Sequence, residues 1–338
     1  MKHTSYFDNF LKNVVNLSQF RLDVLESRVE SIYNALKADP VLGPRIIKKI
    51  PQGSWPQRTI ISPQNGKAFD GDFMLQMKEE PEWQSDLRRY GDAVYNVLHN
   101  HSDYKNMKHG RKCRCIYVQY ANNAMHVDIV PYVIKSDGTQ HIIDRDNKRW
   151  EPTNPSGFTT WMQEKDKITG GNLRKVIRLL KFLRDHKNSF TGTKSILITT
   201  LLGERVEEWR KIVTPGYYSD LPTALLQIVS DLDEWLQNQP YKPSIQDPSR
   251  SGATFDHRWS PETYGYFRDR IHVHAAEIKD AYNETDAETS VAKWQSLFGD
   301  KFQAPATSSS SSKYGAAGAV GADSDDGTWS SSRSGRAG

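Results

Sequence analysis

The residues in this chain best suited to chemistry are three acids and a short turn. Asp70 and Asp72 lie in F-D-G-D-F-M-L, Asp128 lies in H-V-D-I-V-P, and Gly53-Ser54 precedes all three. On a strand, alternation sends both Asp70 and Asp72 out of one face and Phe69, Phe73, Leu75 and Met77 out of the other. Met74 shares the face of the acids, so that side is partly covered too. Asp128 is framed by Val127, Ile129, Val130 and Pro131. The competing reading, a solvated strand surface, sits poorly with that much apolar company. Crowded carboxylates repel one another and are tolerated mainly where cations neutralise them. Hard carboxylate ligands with phosphate oxygens completing the shell suit Mg²⁺, so the three acids predict metal-assisted chemistry on a nucleoside triphosphate. A Gly-Ser turn lets backbone amides approach a phosphate while the hydroxyl adds a hydrogen bond. Such dipeptides are usually ordinary turns. It is the order Gly-Ser, Asp-x-Asp, then a later strand Asp that gives this pair meaning.

These residues must be held by a small set of elements. Residues 4–38 read as one long helix or two, with Leu22, Leu25, Val29, Ile32 and Leu36 at helical spacing, ended by Pro40 and Gly43-Pro44. The basic I-I-K-K-I stretch reads as a connection into Gln52-Gly53-Ser54. A short strand over 59–61, a turn over 63–67, the acid-bearing strand over 69–77 and a helix over 82–100 follow. Strands over 113–120 and 124–134 flank a hairpin turn at Asn122-Asn123, and Asp128 falls mid-strand. If that strand lies beside 69–77, it delivers Asp128 to the acid pair. From Gly157 the pattern is helical, over 157–168, 171–187, 194–210, 220–238, 260–282 and 286–298. The fold class is therefore α+β, a mixed N-terminal lobe over 1–156 and a helical lobe over 157–302. Residues 303–338, rich in Ser, Gly and Ala, form a tail too polar to bury a core and are expected to be disordered.

Composition narrows the function. The chain of 338 residues is 37% hydrophobic and 25% charged, as in a soluble globular protein. No stretch has the length and apolarity of a membrane span, and the start lacks a secretory core. With only Cys113 and Cys115, placed to point the same way on one strand, reduced thiols and a cytoplasmic location are expected. The net charge of +4 does not demand a long nucleic-acid partner but allows a local basic pocket. In L-R-K-V-I-R-L-L-K-F-L-R-D, Arg174, Arg178 and Lys181 share one helix face, either a solvated edge or a phosphate-binding one. His99, His101, His109, His126, His257, His272 and His274 raise the question of zinc, but no ligand spacing organises them with the cysteines.

The order Q-G-S-W-P-Q-R-T, F-D-G-D-F and H-V-D-I-V-P resembles the bacterial CD-NTases. These are the cyclic GMP–AMP synthase-like and dinucleotide-cyclase-like nucleotidyltransferases of CBASS anti-phage defence, built on the polymerase-beta-like nucleotidyltransferase core. The resemblance covers roughly residues 1–300 and is most specific over 52–132. It implies a mixed sheet with flanking helices, a C-terminal helical lobe and a central cleft. It implies two Mg²⁺ ions, for which Mn²⁺ can substitute, on Asp70, Asp72 and Asp128, with Asp128 also activating the attacking ribose hydroxyl. Gln52, Gly53 and Ser54 would then hold the donor triphosphate. R-L-L-K-F-L is similar to the helix of the family that carries a phosphate-binding lysine, here Lys181, and K-S-I-L-I-T-T-L-L to the next helix, whose early serine is Ser195. The implied product is a cyclic di- or trinucleotide second messenger made from ATP, with or without GTP. Within the enzyme class, a linear oligoadenylate or nucleotide-tailing transferase and a toxin-type transferase modifying protein hydroxyls are the alternatives. An inactive docking module would be expected to have lost an acid. The resemblance further implies an E1/E2-like conjugating protein acting on the C-terminal Gly338, against the plainer reading of the tail as a spacer, and an activating regulatory protein.

Overall fold

The computed structural model describes residues 1–64, 66, 68–120 and 125–306, of which Met1–Pro305 form one compact unit. The expected hairpin turn at Asn122-Asn123, part of the turn before Phe69, and the terminal tail with Gly338 lie outside the described residues.

Seven strands form one mixed sheet: β1 (Ile46–Gln52), β2 (Phe69–Met77), β3 (Lys108–Arg111), β4 (Ile116–Gln119), β5 (Met125–Ile134), β6 (Gln140–Asp144) and β7 (Arg149–Pro152). The order is β1-β2-β5-β4-β3, with β6 on the far end of β5 and β7 on β6. β2 and β5 are parallel, with Asp72 opposite Asp128 and Asp70 opposite His126; every other pairing is antiparallel. The connection expected at I-I-K-K-I is instead strand β1, which among the described residues pairs with β2 alone. It lacks a clean alternation because it runs along a sheet edge, where Ile47 and Lys48 are both exposed and Lys49 turns to pair with Glu30. The strand expected at 59–61 is no more than a single bridge from Ile61 to Asn16, and Cys113–Cys115 lie in a bend before β4.

Two hydrophobic cores result. The first lies under the sheet, where Phe69, Phe73, Leu75 and Met77 of β2 and Val127 and Ile129 of β5 meet helix α2 (Gln19–Ala38) and helix α3 (Arg88–Asn100). Ser18 caps α2 by accepting from the Arg21 N–H, and its buried residues Leu25, Val29, Ile32 and Leu36 follow at three- and four-residue spacing. Helix α3 starts later than the sequence predicts. The preceding Trp83 packs edge-on to Tyr90, ring centroids 4.8 Å apart, and Tyr90 Oη accepts from the Glu80 N–H.

The second core is all helical. Helix α1 (Thr4–Phe10) continues through a π turn over Leu11–Val15 and packs with α5 (Asn172–His186), α6 (Ser195–Glu204), α8 (Leu221–Gln237), α9 (Pro261–Asn283) and α10 (Ala287–Phe298). Between α4 (Pro155–Ile168) and α5 the chain turns through Gly170-Gly171, both at positive φ. Phe7, Phe10, Trp294, Phe298 and Phe302 form an aromatic cluster that ties the first and last described segments together. The helix expected over 194–210 is two, because Val206 turns into this core and α7 (Glu208–Val213) restarts beyond it. No helix of the described residues is long and apolar enough to cross a membrane.

One glycine in the middle of the acid-bearing strand is set by packing. A Cβ on Gly71 would sit 2.1 Å from Leu25 Cδ1 and 3.2 Å from its Cγ, so β2 and α2 meet at closest approach there. Gly71→Ala should therefore destabilise the protein by about 1–3 kcal/mol. In denaturant melts, Leu25→Ala should recover about 1 kcal/mol or more of that loss when the two are combined. Strictly additive losses would show that the contact does not set the spacing.

Candidate active site

Strand β1 ends at Gln52, which pairs with Asp72, so the Gly-Ser turn emerges beside the acid pair. Gly53 has φ +68°, and a Cβ there would lie 2.5 Å from Asp72 Oδ2. Both the backbone angle and the space require glycine. Because β2 and β5 are parallel and in register, Asp72 and Asp128 leave the same sheet face on adjacent strands. Asp70, Asp72, Asp128, Gln52, Gly53 and Ser54 all line one pocket of about 560 Å³. The helical core contributes Lys181 from α5 and Ser195, Ile196 and Thr199 from the start of α6. Of the described residues proposed from the sequence for catalysis or phosphate binding, Arg174 and Arg178 stay outside the pocket, and of the seven histidines weighed for zinc His257 alone lines it. Arg174 pairs with Asp166 at 2.8 Å, Arg178 is part-buried on the same helix, and neither lines the pocket. A hollow of similar volume lies between α2 and α3. Its acids are already engaged: Asp39 accepts from the Leu42 N–H and Asp92 pairs with Arg111.

The electrostatics of the pocket are those of surplus negative charge. Burial pushes the Asp72 carboxyl up to about 7, helped by repulsion from Asp128 and Asp70. Asp70 is also raised, by loss of solvent against the pull of His126, although its side chain keeps 58% exposure at the pocket edge. The nearby basic side chains fall on the other two acids. Lys112 Nζ donates to both oxygens of Asp128 at 2.9 and 2.8 Å, and His126 Nδ1 lies 3.2 Å from Asp70 Oδ1. Among the described residues no ion pair reaches Asp72.

Opposite the acids, Lys181 is buried and donates to Thr59 O and Oγ1 at 2.9 and 3.2 Å. Burial, with Arg184 nearby, lowers its ammonium to about 7. Ser195 Oγ accepts from Arg184 Nη1 at 3.2 Å, which fixes the hydroxyl at the N-terminus of α6. The wall farthest along carries Phe158, Phe255, Asn154 and Arg258. Burial lowers the Arg258 guanidinium, and among the described residues its Nε has no hydrogen-bond partner. These wall residues and Lys112 were not singled out in the sequence. Thr199 alone had a signal there, four residues after Ser195 on a helix.

Among the described residues no three His, Cys, Asp or Glu side chains are arranged to enclose a metal by themselves. The donor set still fits Mg²⁺, which is held by one or two carboxylates plus substrate phosphates rather than by an all-protein cage. An ionised, half-buried Asp72 with no ion-pair partner among the described residues is what a divalent ion would relieve.

Residues 1–166 match the family model of the Second Messenger Oligonucleotide or Dinucleotide Synthetase domain. The chain is 23% identical over 177 residues to a cyclic AMP-AMP-AMP synthase from Acinetobacter, an alignment covering 52% of this chain and 50% of that protein. It therefore spans about half the length of that curated relative. Among solved structures, Escherichia coli CdnC with ATP superposes with a TM-score of 0.68 at 19% identity, covering 89% of this chain and 98% of that one. CdnC is also known in a complex with HORMA-deltaN, TM-score 0.66 at 19% identity, covering 89% and 98%. Vibrio cholerae DncV in its apo form gives a TM-score of 0.70 at 17% identity, covering 89% and 96%. Residues 1–166 thus carry the pattern of a Second Messenger Oligonucleotide or Dinucleotide Synthetase domain, and the chain shares the fold of the CdnC and DncV structures.

The raised Asp72 has a consequence for stability. Between the ordinary carboxylate range and pH 7 the folded state holds a proton that the unfolded chain has released, so stability falls as pH rises through that window. With EDTA present, Asp72→Asn should therefore melt higher than wild type at pH 8. The gain should be about 1–2 kcal/mol after allowing for water in the pocket, shrinking towards zero near pH 4. A variant that melts lower than wild type at pH 8 would contradict this picture of the pocket.

Proposed function

We propose that this protein is a Mg²⁺-dependent nucleotidyltransferase that makes a cyclic di- or trinucleotide second messenger from ATP, with or without GTP, in anti-phage signalling. The observation that carries this reading is the convergence of Asp70, Asp72 and Asp128 beside the Gly53-Ser54 turn in one pocket. The names of its relatives, a cyclic AMP-AMP-AMP synthase among them, support the reaction class. Asp70, Asp72 and Asp128 would hold two Mg²⁺ ions, which when bound would supply Lewis-acid stabilisation of charge at the α-phosphate and the leaving pyrophosphate.

The protein's own residues do the rest. The backbone at Gln52 and Gly53 and the Ser54 hydroxyl hold the donor triphosphate by amide and hydroxyl donation. Lys181 and Ser195 approach the same phosphates from the helical side, and a phosphate partner restores the lysine to its charged form. Asp128 accepts the proton of the attacking ribose hydroxyl, a task for which it must be free of other cations. Alignment of hydroxyl and phosphate supplies much of the acceleration, as in other phosphoryl transfers. A first transfer leaves a linear intermediate, and a further attack by its own free hydroxyl closes the ring.

Location in the cytoplasm, where nucleoside triphosphates are made available, belongs to this proposal. So does control by a regulatory protein, for which the CdnC complex with HORMA-deltaN is the precedent. Conjugation through Gly338 by an E1/E2-like protein is proposed from the family resemblance alone.

Incubation of purified protein with each radiolabelled NTP and Mg²⁺ should give phosphatase-resistant nucleotide. Asp70→Ala and Asp72→Ala should each lower its formation about a thousandfold or more while the fold is retained. Phosphatase-sensitive ladders would assign a linear transferase, and label on protein a toxin-type transferase. Undiminished pyrophosphate release by the folded double variant would exclude the aspartates as the reaction centre.

A further inference from the structure

Lys112 is a cation that the reaction as described does not use, yet it sits on one of the three acids. It follows β3, where the hydrogen bond from its N–H to Cys115 O, 2.7 Å, closes the bend leading into β4. From there its side chain enters the pocket and donates to both oxygens of Asp128. The two partners differ in exposure, 45% for the Lys112 side chain against 16% for Asp128. The carboxylate is held by strand β5, while the ammonium stands on a flexible stem open to solvent. Tyr117 is the β4 partner of Asp128, and Lys112 Nζ lies 5.3 Å from its ring centroid. The ring is itself braced by Gly110, where a Cβ would fall 2.7 Å from Tyr117 Cε1. The ammonium thus has an aromatic face to rest against beside the carboxylate.

We propose that Lys112 is a displaceable counter-ion: its ammonium takes the place of a divalent cation on Asp128 and must leave when the ion binds. This rests on the metal-dependent reading above. Three carboxylates facing one pocket repel each other, and one internal ammonium on Asp128, the β5 partner of Asp72, reduces that repulsion without filling the site. Both Asp128 oxygens are engaged by Nζ, so Asp128 can neither ligate an ion nor take a proton from a ribose hydroxyl while the pair persists. A free divalent ion must compete with the ammonium. One arriving with a triphosphate comes as a net anion, whose phosphate oxygens offer the displaced ammonium a new partner. Lys112 is accordingly a positioning residue that makes metal loading depend on nucleotide.

The test is Mn²⁺ binding by the full chain, followed by electron paramagnetic resonance of free Mn²⁺ without nucleotide. Lys112→Gln should bind Mn²⁺ about tenfold more tightly than wild type, the equivalent of one partly exposed ion pair. In an Asp128→Asn background the same change should gain no more than about twofold, because the competed carboxylate is gone. Lys112→Arg, which keeps a pairing cation, should melt with wild type and bind no more tightly. No gain in folded Lys112→Gln would overturn the proposal. So would an equal gain in both backgrounds, which would mark a general field effect. Wild type that takes up no Mn²⁺ even with ATP present would remove the metal-dependent reading itself, and the counter-ion role with it.

Discussion

The parallel pairing of β2 with β5 is the constraint on which the site depends. Parallel strands in register place equal positions side by side, so Asp72 meets Asp128 without either strand bending. A slip of one residue would turn every side chain of one strand to the opposite face, burying acids under the sheet and exposing Phe73 or Ile129. The apolar residues that alternate with the acids therefore do two things. They anchor the strands on α2 and α3, and by choosing the register they set the separation of the carboxylates. Each of those buried side chains stabilises the fold by roughly 1.5–3 kcal/mol, enough together to hold charges that would otherwise repel.

Around that pair, neighbouring segments come as close as their chemistry allows. Gly71 lets α2 pack tightly under the acid-bearing strand, and Gly53 lets the turn that follows β1 touch the Asp72 carboxylate. Opposite charge is present but held at a distance. Lys181 is anchored by Thr59, and Arg184 is engaged with Ser195 and Asp185. Lys112 places its ammonium on Asp128 rather than Asp72, and His126 lies beside Asp70. The pocket is thus arranged for a ligand that carries both anionic and cationic parts, a description that a metal-bound triphosphate meets.

Much of this was legible in the sequence, and for identifiable reasons. The acids stood out because they interrupt apolar strands that admit few charges, and the expected adjacency of Asp128 to the pair follows from two strands with the same alternation. Lys181 and Ser195 came from short family matches and do line the pocket. Strand β1 was hidden because an edge strand with adjacent lysines and a proline, Lys48, Lys49 and Pro51, has no alternation to read. Strands β6 and β7 are short, four or five residues each, and partly exposed along their length. Lys112 carried no signal, since a lysine in a basic, cysteine-flanked loop is ordinary until the sheet brings that loop over Asp128. Arg174 shares a helix face with Lys181, yet which of them reaches the pocket was decided by Asp166, a partner from another helix.

The central claim is that the three aspartates form a shared divalent-ion site completed by nucleotide. It is tested most directly by a crystal structure of the full chain with Mn²⁺ and a non-hydrolysable ATP analogue, using anomalous scattering to locate the ions. The account predicts two anomalous peaks at about 2.0–2.3 Å from oxygens of Asp70, Asp72 and Asp128, triphosphate against Gly53 and Ser54, and Lys112 withdrawn from Asp128. Bound nucleotide with no Mn²⁺ on the aspartates, and Lys112 still on both Asp128 oxygens, would contradict it.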